Sequence, residues 1–197
     1  MSWQTRPIGA SDGDALARLF ERTGSSCYCR WWHFSGDKNA WLARAAHAPA
    51  DSRGELLRAV AGGSDEALGV VAVEHAEIVG WMKLAPAAAL AKLYASRPYR
   101  GMRDLGSERE GVWTIGCFLV DERQRRRGLS VELVRAGLQL ATARGAVAVE
   151  AFPRRADGLA PEERWTGSYG ALLAAGFVVI HDYAQYPVMR CTLPPAP

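Results

Sequence analysis

The sequence predicts a mixed α/β fold, and three stretches carry that prediction. LGVVAVEH (Leu68–His75) and EIVGWMKLAP (Glu77–Pro86) are apolar, β-branched runs separated by a very short break, the signature of an antiparallel hairpin. VWTIGCFLV (Val112–Val120) is almost continuously apolar, as a strand covered on both faces must be. A helical stripe from Leu129 to Arg144 follows, and then VAVEAF (Val147–Phe152), a second strand. A strand, a helix and a strand in that order form a crossover whose two strands run parallel.

The remaining elements follow in order along the chain. WQTRPI (Trp3–Ile8) reads as a first strand. SDGDALARLFERT reads as a helix, with Ser11 as N-cap, Asp14 three residues on as in a capping box, and Leu16, Leu19 and Phe20 on one face until Gly24 ends it. SSCYCRWWHFSGDKN is aromatic and irregular. A second helical region runs from Asn39 to Ala61 and is broken around Pro49. The hairpin turn falls on Ala76 and Glu77, which are not the favoured Asn-Gly type. Ala87–Tyr94 reads as a short helix and Ser96–Gly111 as a polar loop. On the long helix Leu133, Gly137, Leu140 and Ala141 form the apolar stripe, and Gly145 stands at its C-cap. PRRADGLAPEER is a loop, WTGSYGALLAAG a last helix, FVVIHDY and YPVMRCTL a closing strand pair, and LPPAP a frayed end.

The 197 residues suit a single domain spanning 1–197, and 49% hydrophobic with 23% charged residues is an ordinary globular composition. No run of about 18 apolar residues occurs, and MSWQTRPIGASD has neither a basic n-region nor an apolar h-region. A cytoplasmic protein with no membrane partner is expected. The formal net charge is +3, from 24 Lys+Arg against 21 Asp+Glu. Setting aside Arg123, Arg125, Arg126 and Arg127 leaves 20 against 21, so the basic excess is one local cluster. That argues against a general nucleic-acid binder and for a small, highly charged anion. Cys27, Cys29, Cys117 and Cys191 are too scattered for a disulfide framework, which points to a reducing compartment. Cys27 and Cys29 with His33 lack the two-to-four-residue spacer of structural zinc sites, so no metal is expected.

The arginine cluster lies in VDERQRRRGLSVEL, immediately before the long helix. A helix N-terminus presents unpaired N–H groups and about half a positive charge, so cations there are unfavourable unless an anion joins them. A strand that feeds a helix through a tight loop is such an anion cradle. Gly128 lets a ligand approach the backbone and small Ser130 keeps the first turn accessible, while arginines pair phosphate oxygens in bidentate fashion. The competing reading is a solvated, charged helix start. G-x-x-x-x-G-K-[ST] and G-x-G-x-x-G are both absent.

The pattern Arg125-x-x-Gly128-x-Ser130, between FLV and VELVRAGLQLATARG, resembles the pyrophosphate motif Q/R-x-x-G-x-G/A of the GNAT superfamily of acyl-CoA-dependent N-acetyltransferases, with Ser130 in place of Gly or Ala. The order of elements matches over nearly the whole chain. CYCRWWHF, GWMKLAP, WTIGCFLV, VEAFP and PVMRCTL resemble a little-characterised bacterial branch of it. The resemblance implies an α/β (α+β) fold with a mixed, mostly antiparallel sheet, a parallel splayed strand pair and flanking helices. It implies acetyl-CoA as cofactor, its acyl-pantetheine arm on Phe118, Leu119 and Val120, and its pyrophosphate on Arg125, Arg126, Arg127, Gly128, Leu129, Ser130 and Val131. It further implies a small-molecule or peptide amine as acceptor and a monomer or homodimer.

The implied reaction is direct attack of an amine on the thioester, with a strand N–H near Leu119 holding the developing oxyanion. Relatives place a tyrosine acid where this chain has Leu172, and Tyr169, one helical turn earlier, is a substitute; its other reading is a packing aromatic. Glu150, inside an apolar strand, is a candidate general base with a raised pKa. Alternation turns it away from Val147, Val149 and Ala151, so it also suits solvent or an arginine partner. Trp31, Trp32, Trp81 and Trp113 are candidates for the acceptor wall, their other role being core. Cys117 lacks a nearby activating base in sequence, so an acyl-cysteine route is set aside. The rival functions are a non-catalytic acyl-CoA sensor and a nucleic-acid binder.

Overall fold

β1 (Gln4–Pro7), β2 (Gly69–Glu74), β3 (Glu77–Pro86), β4 (Val112–Val120), β5 (Ala148–Ala151), β6 (Val178–His181) and β7 (Val188–Thr192) form one sheet in the order β1-β2-β3-β4-β5-β7-β6. This is a computed structural model, and it describes residues 3–102, 105 and 109–195. Parts of the 96–111 loop and of the LPPAP end therefore lie outside the described residues. Every neighbouring pair is antiparallel except β4 with β5. That parallel pair is held only where Val112–Thr114 meets Ala148–Glu150. β4 then runs on to Val120 while β5 ends at Ala151 against β7, so the sheet opens into a V at this point.

The helices are α1 (Gly13–Arg22), α2 (Lys38–His47), α3 (Pro49–Ala61), α4 (Ala91–Tyr94), α5 (Leu129–Ala143) and α6 (Tyr169–Ala174). One face of the sheet buries Met82, Leu84, Ile115 and Val149 against Leu133, Val134 and Leu172 of α5 and α6. The other buries Val71, Ile78 and Trp81 against Leu16, Phe20 and Leu56 of α1 and α3. Because both faces are covered, the central strands are apolar without alternation. Gly137 makes the α5 contact close: a Cβ there would lie 2.2 Å from Met82 Cε. Among the described residues no helix is long and apolar enough to cross a membrane.

Three local expectations need correction. Ser11 is not the cap of α1; a 3-10 turn over Ala10–Asp12 precedes that helix, and the Asp12 carboxylate accepts the Gly9 N–H at 2.7 Å and Arg6 Nη2 at 2.8 Å. A salt bridge to a neighbouring strand outcompetes the local cap. The hairpin turn is His75–Ala76, both left-handed with φ of 49° and 65°, since Glu74 pairs with Glu77. That geometry matches the twist of the flanking strands even without glycine. The last helix is shorter than its sequence stripe and starts only at Tyr169, after Gly167 takes a φ of 115°. The break at Pro49 stands where expected, with Pro49 as the first residue of α3.

Candidate functional site

Past Val120 the chain makes a 3-10 turn, Glu122–Gln124, and enters α5 through Gly128. Asp121 organises the turn. Its carboxylate accepts from Arg123 Nη2 (2.9 Å), Nε (3.0 Å) and N–H (3.0 Å) and from Arg22 Nε (3.2 Å). These donors, Arg123 first, hold it far below the ordinary carboxylate range. The charge of Asp121 is thus compensated by the two arginines.

Arg125 is drawn to Glu122 at 3.4 Å, and Arg127 donates to the Gln124 side chain and lies 5.4 Å from the Trp3 ring. Arg126 is exposed, has a φ of 59°, and makes no hydrogen bond or ion pair among the described residues. The backbone N–H groups of Arg126, Arg127, Gly128, Leu129 and Ser130 likewise find no acceptor among those residues. Val131 differs, because its N–H donates to the Gly128 carbonyl at 2.9 Å, so it leaves the set of free donors. Gly128 has a φ of 88°, and a Cβ there would meet nothing within 4 Å, so the space beside Gly128 is open. Consecutive unbonded amides at a helix entrance are a row of donors from which an anion can accept.

The edge of β4 that parts from β5 leads away from it. A bulge at Gly116 shifts the β3–β4 register between Lys83 and Leu84. Beyond it the Phe118 N–H points into the V and donates to the Trp165 carbonyl at 2.6 Å, and the Gly116 carbonyl accepts Trp32 Nε1 at 2.8 Å. The Asp121 N–H goes the other way, to Val79 of β3, and alternation sends that of Leu119 with it. The edge donor is therefore Phe118 rather than Leu119.

The Cys-x-Cys-x-Trp-Trp-His stretch docks on the face opposite α5. Tyr28 and Cys29 take left-handed φ values of 44° and 58°, which turns Cys29 inward against Cys117 of β4 and Lys83 of β3. Burial raises the Cys29 thiol, but the hydrogen bond with Cys117 and the charge of Lys83 outweigh it and bring it to about 7. Cys117 is pushed up by the same hydrogen bond and by burial. Lys83 is fully buried, donates to the Glu66 carbonyl, and is lowered by desolvation. Arg30 is buried between Glu55 and Glu66. Burial, then Lys83 and Arg30, push His33 down to about 4. Trp31 lies under Lys92 Nζ, 3.6 Å from the ring centre, and the Trp32 ring is 5.2 Å from Trp165. Cys27 instead meets Ser25 Oγ at 3.3 Å.

Glu150 sits at the root of the V and is completely buried. Its carboxylate accepts from Arg109 Nη1 (2.5 Å), Arg190 Nη2 (2.5 Å), Arg190 Nε (3.2 Å) and the Tyr94 hydroxyl (2.7 Å), which also bonds Thr114. The expected apolar surroundings of a carboxyl base are absent here: two guanidiniums occupy it. Tyr169 heads α6, its ring 5.2 Å from the Arg155 guanidinium and its hydroxyl accepting from Arg155 at 3.5 Å. It lines a cleft of about 390 Å³ with Arg154, Arg155, Asp157 and Arg164.

Three of the four tryptophans proposed for an acceptor wall are core. Trp81 is wholly buried with Leu16 and Phe20, and Trp113 packs on the α5 side with Val149. Trp32 is buried in a third cluster with Leu90, Leu93 and Phe152, its ring against Trp165, and of the four only Trp31 is partly exposed. Lys83, a lone charge inside GWMKLAP, was visible in the sequence as an anomaly. Trp165, Arg109 and Arg190 carry no such local mark.

A model described as the Acetyltransferase (GNAT) family matches residues 30–157, well over half of the chain. The chain belongs to the GNAT acetyltransferase family. The matched region runs from the Trp31–Trp32 turn past β5, so it contains the five amides, the β4 edge and Glu150. Among curated proteins none matches the sequence. Solved structures share the GNAT fold. The PaiA N-acetyltransferase of Thermoplasma acidophilum, in complex with coenzyme A, has TM-score 0.57 at 11% identity, covering 98% of this chain and 99% of that one. An aminoglycoside acetyltransferase, AAC(6')-Ib with coenzyme A, has TM-score 0.57 at 18% identity over 97% and 95%. The ribosomal-protein-S5-alanine acetyltransferase of Vibrio fischeri has TM-score 0.59 at 14% identity over 98% and 93%. The GNAT sheet, mixed and mostly antiparallel with one parallel splayed pair, agrees with the fold expected from the sequence.

Proposed function

We propose that this GNAT protein transfers acetyl from acetyl-CoA to a primary amine by direct attack within a ternary complex. The observation that carries the reading is the row of five amides, Arg126 to Ser130, unbonded among the described residues, at the end of β4 where it parts from β5. A pyrophosphate fits those donors, Arg126 supplies a free guanidinium, and Gly128 leaves room for the approach. Coenzyme A bound to structurally similar proteins supports the choice of ligand.

Acetyl-CoA supplies an activated thioester. The chain's own part is electrostatic and positional. The β4 edge from Phe118 to Val120 aligns the pantetheine arm, and the Phe118 N–H is placed to hold the oxygen on which charge develops. An alkyl amine, with pKa near 10.4, must lose a proton before it attacks. Glu150 is committed to Arg109, Arg190 and Tyr94, which favours anchoring β5 over taking that proton. The leaving thiol, with pKa about 8.5, needs little acid help. Tyr169 is the hydroxyl assigned to give it, on the helix that Gly167 ties to the Phe118 ring. Trp31 borders the amine's approach.

The test is a thermal melt with acetyl-CoA, CoA and ATP, followed by thiol release across a panel of amines. At a hundredfold excess over Kd the native state gains about 2.7 kcal/mol. For a domain of this size that raises Tm by roughly 5–11 °C. A shift with both CoA forms and not with ATP, followed by amine-dependent thiol release, is the expected result. No shift at millimolar ligand overturns the reading. A shift without turnover for any amine favours the binding module, in keeping with the buried Leu172 at the usual tyrosine position.

A further inference from the structure

The segment between β5 and α6 places a backbone carbonyl on the one edge amide that the proposed reaction needs. Trp165 C=O accepts the Phe118 N–H at 2.6 Å. Three further contacts seat the segment. The Trp165 ring lies 5.2 Å from Trp32, whose indole nitrogen holds the neighbouring Gly116 carbonyl. Gly167, at a φ of 115°, packs so closely that a Cβ would come within 2.8 Å of the Phe118 ring. At its base the Arg155 N–H donates to the Gln185 carbonyl at 3.0 Å and Arg155 Nε to the Ala184 carbonyl at 3.2 Å, while Arg154 and Glu163, paired at 2.7 Å, hold the bend within the segment itself.

Resting on the reading above, we propose that residues 153–168 form a strap that closes the V by lending the Trp165 carbonyl to the Phe118 amide, and that coenzyme A displaces it. One N–H serves one strong acceptor in line, so the carbonyl and a thioester oxygen exclude each other at this site. The strap is built to leave. It contributes one backbone bond to the β4 edge, its tryptophan is 37% exposed, and the ion pair that shapes its bend is internal to it and joins side chains that are 30% and 44% exposed. Exposed pairs of this kind add little hold. While closed it satisfies an edge amide that would otherwise face other strands. The cofactor's apparent affinity is then its intrinsic affinity scaled by the fraction of molecules with the strap open.

Two measurements on the full chain test this, with CoA as the probe. Hydrogen exchange is followed for the 153–168 peptide and for the peptide containing Phe118, with and without saturating CoA. The expected result is faster exchange in 153–168 with the Phe118 amide still protected. Unchanged or slower exchange in 153–168 on a protein that binds CoA overturns the strap and leaves the cofactor assignment standing. Failure to bind CoA at all is the separate failure of the functional reading. Calorimetric titration then compares the wild type with Trp165→Ala. Loss of the contact with Trp32 is expected to tighten CoA binding about fivefold, equivalent to about 1 kcal/mol. Glu163→Gln, which loosens the closed bend of the strap without touching the V, shifts Kd in the same direction. Equal or weaker CoA binding in both variants refutes displacement.

Discussion

Replacing Glu150 by glutamine isolates what the buried carboxylate does. Its two oxygens take four hydrogen bonds, three from the guanidiniums of Arg109 and Arg190 and one from Tyr94. Glutamine keeps one oxygen and turns the other into an NH₂ that meets donors on every side. Whichever way the amide is turned, at least one guanidinium loses its partner. Breaking a buried pair by removing one member costs about 3–5 kcal/mol, because the remaining charge stays desolvated. Arg190, with its side chain 33% exposed, can turn to water, while Arg109 at 13% cannot do so as freely. The low end of that range, about 3 kcal/mol, is therefore expected. At roughly 2–4 °C per kcal/mol for a chain of this length, Tm falls by about 6–12 °C. Circular dichroism melts and urea titrations measure it, with the midpoint lowered and the slope unchanged. A Tm within about 2 °C of wild type refutes the network as a source of stability. The pH profile of turnover, read well below the melt, separates anchoring from base catalysis: anchoring preserves the acid limb and a base loses it.

Gly128→Ala forces a side chain into a left-handed position that clashes with nothing, so strain alone costs about 1–2 kcal/mol. CoA affinity should fall by more than that in a titration, since the new methyl stands over the amides; an equal affinity would move the pyrophosphate elsewhere. Arg126→Glu should weaken CoA about tenfold or more at low salt with Tm unchanged, because the exposed side chain has no hydrogen bond or ion pair among the described residues to lose. The same change at Arg127 also breaks its bond to Gln124 and is a poorer test. His33 stays neutral in the fold down to about 4, while the unfolded chain takes up its proton near 6.5. The unfolded state therefore binds more protons in that window, and stability falls as pH drops from 6.5 through 4. Urea midpoints across the window should flatten in His33→Asn; an unaltered slope would assign the loss to other groups.

The geometry of the proposed anion site was legible because it is local. Its donors are five consecutive amides, and a strand, a tight loop with Gly128 and a helix stripe are patterns within about 20 residues. The hairpin and the β4–α5–β5 crossover were legible for the same reason, each being set by periodicity and connection length. Trp81 shows where this ends. Periodicity marks it as apolar, but both faces of β3 are covered, so being apolar did not say whether it lines an opening or a core. Glu150 stood out as a charge in an apolar strand, yet its partners lie 40 and 41 residues away on β7 and in the 96–111 loop. Trp165 reaches Phe118 only through the folding back of a loop with no period of its own. Sequence patterns record which groups must be hidden or turned within one element; which distant group meets them is decided when the elements pack, because desolvation and hydrogen bonding act between surfaces that only the tertiary structure brings together.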